Sequence, residues 1–339
     1  MQHPARTLID WIEIPSVTGR EQDYGDALAR ELEALGFAVE RQDIGDGRFN
    51  VLARAGVPEV VFCTHLDTVP PFFRSREDAD FVHGRGACDA KGQAVAMLAA
   101  AARLLAAGED RIGFLFTVGE EISSDGAAYA DAHLADPWRP RWVVIGEPTG
   151  NRFVAGHKGL FKARLCAEGV AGHSSQEVGP SAVHELVRCT ARLLAEDWGA
   201  HELFGRGTLN VGLISGGVAS NVVADRAQAD LLVRAVEEPE AVEARIRPHL
   251  GEHVRLACPL KSTGPVRFHV PEGEEAQTAA FGTDAPYMRH WGTPLLFGCG
   301  SILDAHTDHE KLSKVELERC VERHVRTARG LLARADATP

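Results

Sequence analysis

Residues 59–67 read Glu59-Val60-Val61-Phe62-Cys63-Thr64-His65-Leu66-Asp67, an apolar run that ends abruptly in an imidazole and a carboxylate. An unbroken apolar run of this length is what a strand covered on both faces looks like. The pattern recurs downstream. Phe114-Leu115-Phe116-Thr117 is followed by Glu120 and Glu121, and Trp142-Val143-Val144-Ile145 by Glu147. Pro294-Leu295-Leu296-Phe297 leads through a glycine-rich loop to His306. Between these runs, residues 94–107 read as an amphipathic helix rich in alanine and leucine, and residues 124–133 as a second helix. Strand, helix, strand, helix, strand predicts an α/β fold with a mainly parallel sheet. In open α/β sheets ligands bind beyond the carboxyl ends of the strands, so these polar residues converge on one crevice. Asp89, in Gly84-Arg85-Gly86-Ala87-Cys88-Asp89, joins them at the start of the first helix.

Working outward, residues 4–36 have helical spacing broken at Pro15, and 37–39 and 50–53 read as short strands. The texture changes after Gly156. Residues 159–168 alternate like an antiparallel strand with one wet face, 180–197 read as a helix, 208–215 and 227–236 as strands, and 239–250 as a helix. A closing helix is expected over 313–332. The predicted organisation is a first domain in two parts, 1–156 and 263–339, with an inserted α+β domain over 157–262.

The length of 339 residues fits two domains, and 45% apolar with 25% charged residues fits a globular chain. Lys and Arg total 36 against 48 Asp and Glu, a net charge of -12. That excess of anions argues against nucleic acid and against an anionic membrane surface as partners. The longest apolar stretch, residues 94–108, carries Arg103 and is shorter than the roughly 20 residues that a membrane helix needs. The N-terminus shows no basic segment followed by an apolar one, so no secretory signal is expected. Seven widely spaced cysteines without a C-x-x-C pair suit free thiols in a reducing cytoplasm.

A crevice lined by imidazole and carboxylate favours a pair of divalent cations. Imidazole suits zinc, and carboxylates can bridge two ions. Two such ions bring four positive charges, which Asp89, Glu121, Glu147 and one hydroxide balance, so the buried centre need not carry an uncompensated charge. Without cations the same carboxylates repel and raise one another's pKa.

The order His65-x-Asp67, Gly-x-Gly-x-x-Asp89-x-Lys-Gly, Glu120-Glu121, Gly-Glu147-Pro, Gly-His173-Ser-Ser, then Gly298-Cys-Gly300 through Ala305-His306-Thr307 resembles the di-zinc aminoacylases and exopeptidases. That family includes acetylornithine deacetylase, succinyl-diaminopimelate desuccinylase and carboxypeptidase G. The resemblance runs from about residue 5 to residue 330. It implies a parallel-sheet di-metal catalytic domain with an inserted α+β lid domain. It implies that Asp89 bridges two metal ions, that His65 and Glu147 complete one, and that Glu121 and His306 complete the other. Zinc is the implied metal, with cobalt or manganese as alternatives. Glu120 is implied as general base toward the attacking water, and Asp67 as the group that holds the His65 imidazole. From the lid, His173 is implied to stabilise the oxyanion, Asn221 to contact substrate near the scissile amide, and Arg234 to anchor a substrate carboxylate. A homodimer formed through the lid is also implied.

The function expected from the resemblance is deacylation of a small N-acylated amino acid, of the acetylornithine type in arginine biosynthesis. Acetylcitrulline, lysine-pathway or succinyl-diaminopimelate substrates and dipeptides are the rivals within the family. A metal-binding scaffold without catalysis is the rival from another class, and retention of Glu120 argues against it. Ala90, Cys299 and His309 depart from the family's usual residues without removing a ligand. The chain has no H-E-x-x-H, G-x-S-x-G or Walker A sequence.

Overall fold

The computed structural model describes residues 3–176, 178–257 and 261–336. Cys258, read above as a free thiol, lies outside them. The chain divides into two compact units: Met1–Ala155, Arg267–Gln277 and Thr283–Pro339 form the first, and Gly156–Val266 with Thr278–Gly282 the second.

The first unit begins with helices α1 (Pro4–Ile12) and α2 (Gln22–Ala34), separated at Pro15 as the sequence predicts. Strands β1 (Ala38–Gly45) and β2 (Arg48–Arg54) then form an antiparallel hairpin. It is longer than the two short runs expected, because most of β1 is polar and exposed and gives little apolar signal. β3 (Val60–His65) and β4 (Ile112–Thr117) are buried at every residue, and β5 (Trp142–Ile145) at all but the first. Helix α3 (Lys91–Ala106) links β3 to β4, and α4 (Asp125–Ala132) links β4 to β5. The expected amphipathic character of α3 is not what is found. Lys91 through Ala101 are all buried, and its alanines allow close approach of neighbours on several sides. The Lys91 ammonium is buried too and donates to the carbonyls of Trp11 and Ile14 at the end of α1.

The sheet runs β1-β2-β4-β3-β5, completed by a sixth strand, Thr293–Leu296. β4, β3, β5 and the sixth strand are mutually parallel, while β1 and β2 add an antiparallel edge. Its core is aliphatic and aromatic, including Phe62, Phe114, Phe116, Met97 and Leu295.

The second unit carries a four-stranded path in which β6 (Gly159–Glu168) and β7 (Arg226–Ala235) are the inner strands. Thr208–Gly216 and Val254–Leu256 flank them. Alternate residues of β6 and β7 point inward and pack on α5 (Ala182–Ala195) and α6 (Pro239–Ile246), giving a core with Phe161, Leu165, Leu186, Leu231 and Ile246. The opposite face is polar, as period-two alternation predicts. Among the described residues, no helix is long and apolar enough to cross a membrane.

Candidate metal centre

Parallel register puts the ends of four strands at one edge of the first unit's sheet. His65 is the last residue of β3 and lies opposite Thr117, the last of β4; Cys63 lies opposite Ile145, the last of β5. Leu296, the last residue of the sixth strand, is level with Ile145. Main-chain bonds continue the alignment into the loops, from Leu66 N to Thr117 O at 2.7 Å and from Gly146 N to Cys63 O at 2.9 Å. His65, the Glu120-Glu121 pair, Glu147 and the loop to His306 therefore leave the sheet side by side.

Atoms of His65, Asp89, Glu121 and His306 converge. His65, Asp89 and Glu121 each offer a ligand atom, and the three atoms lie within 4.8 Å of one another. His65 Nε2 is 2.9 Å from Asp89 Oδ1, while His306 Nε2 is 3.1 Å from Asp89 Oδ2 and 3.0 Å from Glu121. Asp89 thus touches one imidazole with each oxygen. The His65 Nδ1–H donates to the Asp67 carbonyl at 2.9 Å, so Nε2, which faces Asp89, is the nitrogen free to ligate a cation once it gives up its proton. His306 adopts a left-handed backbone, φ 62°, which costs a non-glycine residue about 1–3 kcal/mol. Two imidazoles and several carboxylates at these separations fit a zinc-type cation pair.

The supporting residues were mostly invisible in the sequence. The Asp67 carboxylate lies 3.5 Å from His65 Nδ1, but its closer partners are the Thr18 hydroxyl at 2.8 Å and the amides of Glu120 and Glu121, each at 3.1 Å. It therefore fixes the turn that carries Glu120 and Glu121, beside any effect on the imidazole. Buried Glu310 accepts from the amides of Cys88 and Asp89 at 3.1 Å and from Arg85 at 2.7 Å. Gln93 donates to the carbonyls of Cys88 and Cys299, both at 2.7 Å, tying the start of α3 to the late loop. A Cβ on Gly298 would sit 2.1 Å from Gln93 Oε1 and 2.6 Å from the Glu147 carbonyl, so only glycine fits there. The only sequence signals for Glu310 and Gln93 are their places next to the His306 and Asp89 motifs.

The electrostatics are those of an acidic cluster awaiting positive charge. Burial pushes the Glu147 and Glu120 carboxyls well above the usual range, and neighbouring acids push the same way. Burial also raises Glu121, against the His306 hydrogen bond. For Asp89 burial acts upward, but hydrogen bonds from His306 and His65 outweigh it and hold the carboxyl low. Hydrogen bonds to Asp89 and Glu121 lift His306 to about 10. Without cations, protons on imidazoles and acids do the neutralising.

His173, Asn221 and Arg234 belong to the second unit. His173 pairs with Val222 in a short antiparallel bridge, and the Ser174 amide donates to the Asn221 carbonyl at 3.0 Å, which brings these two residues together. The Ser175 amide donates to His173 Nδ1 at 3.2 Å, so that nitrogen holds the lone pair and Nε2 carries the proton. Arg234 lies on β7 and points to the polar face of the sheet. Asp230 pairs with Arg164 and Glu237 with Arg245, and among the described residues Arg234 joins no ion pair.

The sequence model described as "Peptidase family M20/M25/M40" matches residues 61–330. The chain belongs to this peptidase family. It is 34% identical to a peptidase M20 domain-containing protein of Sordaria macrospora, over 92% of this chain and 81% of that one. It is 33% identical to a probable carboxypeptidase of Aspergillus fumigatus, over 96% of this chain and 86% of the other. The fold matches aminopeptidase PepT of Bacillus cereus with a TM-score of 0.79 at 19% identity, covering 96% of both chains. This M20 chain is a hydrolase of the metallopeptidase type, and His65, Asp89 and Glu121 form a cluster that could hold a metal ion.

Proposed function

We propose that this chain hydrolyses the amide bond on the N-terminal side of an amino acid whose carboxylate is free. An N-acyl amino acid deacylase and a carboxypeptidase for short peptides cleave that same bond and differ in the acyl group. The observation that carries the reading is Asp89, flanked by His65 at 2.9 Å and His306 at 3.1 Å, with Glu120 next in sequence to the contacting Glu121. The acetylornithine-type deacetylase is the narrower reading and draws on the motif resemblance. The carboxypeptidase reading is favoured by the name of the Aspergillus fumigatus relative.

His65, Asp89 and Glu147 would hold one divalent cation and Asp89, Glu121 and His306 the other, with zinc favoured by the donor set. Such cations supply Lewis-acid polarisation of a carbonyl and acidify water. Glu120 takes a proton from the attacking water and returns it to the leaving amine. Asp67 keeps Glu120 on station through the 3.1 Å amide bond. His173 offers its Nε2 proton to the developing oxyanion, Asn221 contacts the substrate beside it, and the Arg234 fork takes the free carboxylate.

We also propose a homodimer through the second unit. Thr208–Gly216 is an edge strand with Leu213 and Ile214 exposed, a pairing template that soluble proteins normally cover. A cytoplasmic setting is supported by six free cysteines among the described residues. The test of activity is free-amine release by zinc-loaded protein from a panel of N-acetyl and N-succinyl amino acids and dipeptides. Release is expected. Full metal loading with no release from any member would favour the scaffold reading.

A further inference from the structure

The loops that carry Asp89 and His306 lie against each other. A Cβ on Gly300 would sit 2.5 Å from the Cβ of Cys88, so the late loop has no room for a side chain where it passes the neighbour of Asp89. Each loop is followed by a buried side chain that grips the main chain of the other. Gln93, four residues after Asp89, accepts from the Cys299 amide at 3.0 Å and donates to the Cys299 carbonyl at 2.7 Å. It also donates to the Cys88 carbonyl at 2.7 Å, so three main-chain groups fix which way its amide points. Glu310, four residues after His306, accepts from the amides of Cys88 and Asp89 and from Arg85. Arg85 is held in turn by the Pro71 carbonyl at 3.2 Å and lies 5.0 Å from the centre of the Phe73 ring. Gln93 and Glu310 are both 0% exposed. Neither can turn away without leaving buried amides or carbonyls unpaired, which is costly.

We propose that Gln93 and Glu310 are positioning residues that lock the two loops together, set the 3.1 Å approach of His306 to Asp89, and so govern the affinity for the cation on the His306 side. This rests on the metal-dependent reading above and deepens it. Both residues act through the backbone of the ligand-bearing loops and not as ligands. The cation on the His65 side depends on the lock less, because the sheet register places His65 and the strand that leads to Glu147.

The test reads metal binding and not turnover. Chelator-treated protein is titrated with Co²⁺ alone, followed by calorimetry and visible absorption, for the parent, Gln93→Leu, Glu310→Gln and His306→Ala. Gln93→Leu keeps the bulk and removes every hydrogen bond, while Glu310→Gln keeps an acceptor for the amides and gives up the charge-assisted bond from Arg85. The parent should take up two ions. Gln93→Leu should bind one of them about 10–100-fold more weakly and leave the other nearly unchanged. Its spectrum at one equivalent should match that of His306→Ala. Glu310→Gln should show the same pattern with a smaller loss, and it carries the test if circular dichroism shows that Gln93→Leu is unfolded. Variants that hold two ions as tightly as the parent, or that weaken both ions alike, overturn the lock and leave the metal reading standing. A parent that takes up fewer than two ions sinks the metal reading and the lock with it.

Discussion

The two flanks of Asp89 are built by different means. On one flank, His65 is the last residue of a wholly buried strand and Glu147 follows another two residues after its end, so the sheet register sets their positions. On the other, Glu121 and His306 stand on loops held by side-chain anchors, the Asp67 carboxylate on one and the Glu310 carboxylate on the other. The strand-borne flank is closed, and the loop-borne flank is open at His306, whose side chain is 49% exposed, while that of Glu121 is 6% exposed.

The group common to both flanks should be the most sensitive. Asp89→Ala removes the contact to each imidazole, so both cations should be lost together and activity should fall by about 10³-fold or more. Metal analysis of the purified variant checks it, and retention of one full equivalent would break the shared-ligand assignment. Glu120→Gln should leave metal content intact while turnover falls by about 10²–10⁴-fold. Normal turnover there would end the general-base assignment.

The flanks should also differ in what they do for stability. His65→Ala in chelator-treated protein strips a buried partner from Asp89 and should cost about 3–5 kcal/mol in urea denaturation. His306→Ala removes a half-exposed partner and should cost about 1 kcal/mol or less. Equal losses would mean that the open flank is as structural as the closed one.

The closed flank was legible in the sequence and the open one only in part, for a physical reason. A strand buried on both faces must be apolar throughout, so Val60–Thr64 and Phe114–Thr117 announce themselves and point to the polar residues at their ends. Their ordering into a parallel sheet follows from the intervening helices. Loop anchors leave no such trace. Glu310 reaches the Cys88 and Asp89 amides across 222 and 221 positions of sequence, and nothing in its neighbours predicts that. The all-round burial of α3 was misread because alanine is compatible with either environment. In the second unit, alternation revealed β6, but the His173 tautomer depends on one amide that folding brings to the ring.

Asp284 gives the finest probe of the closed flank. It is buried, and its Oδ2 accepts from the hydroxyl of Thr117, the residue level with His65, at 2.7 Å. Burial pushes its carboxyl up to about 6, with the Thr117 hydrogen bond acting against that. Between its unfolded value near 3.8 and about 6, the native state binds more protons than the unfolded chain. The group's contribution is therefore fully present below the lower value and is lost as pH rises through the upper one. Asp284→Asn keeps an acceptor for Thr117 and carries no charge, so it lacks this slope. In chelator-treated protein the variant should match its parent at about pH 4 and exceed it at about pH 8, by no more than about 3 kcal/mol. Urea midpoints across that range measure it. A variant weaker than its parent at the alkaline end would show that Asp284 works as a buried anion, and that the closed flank tolerates more negative charge than its burial allows.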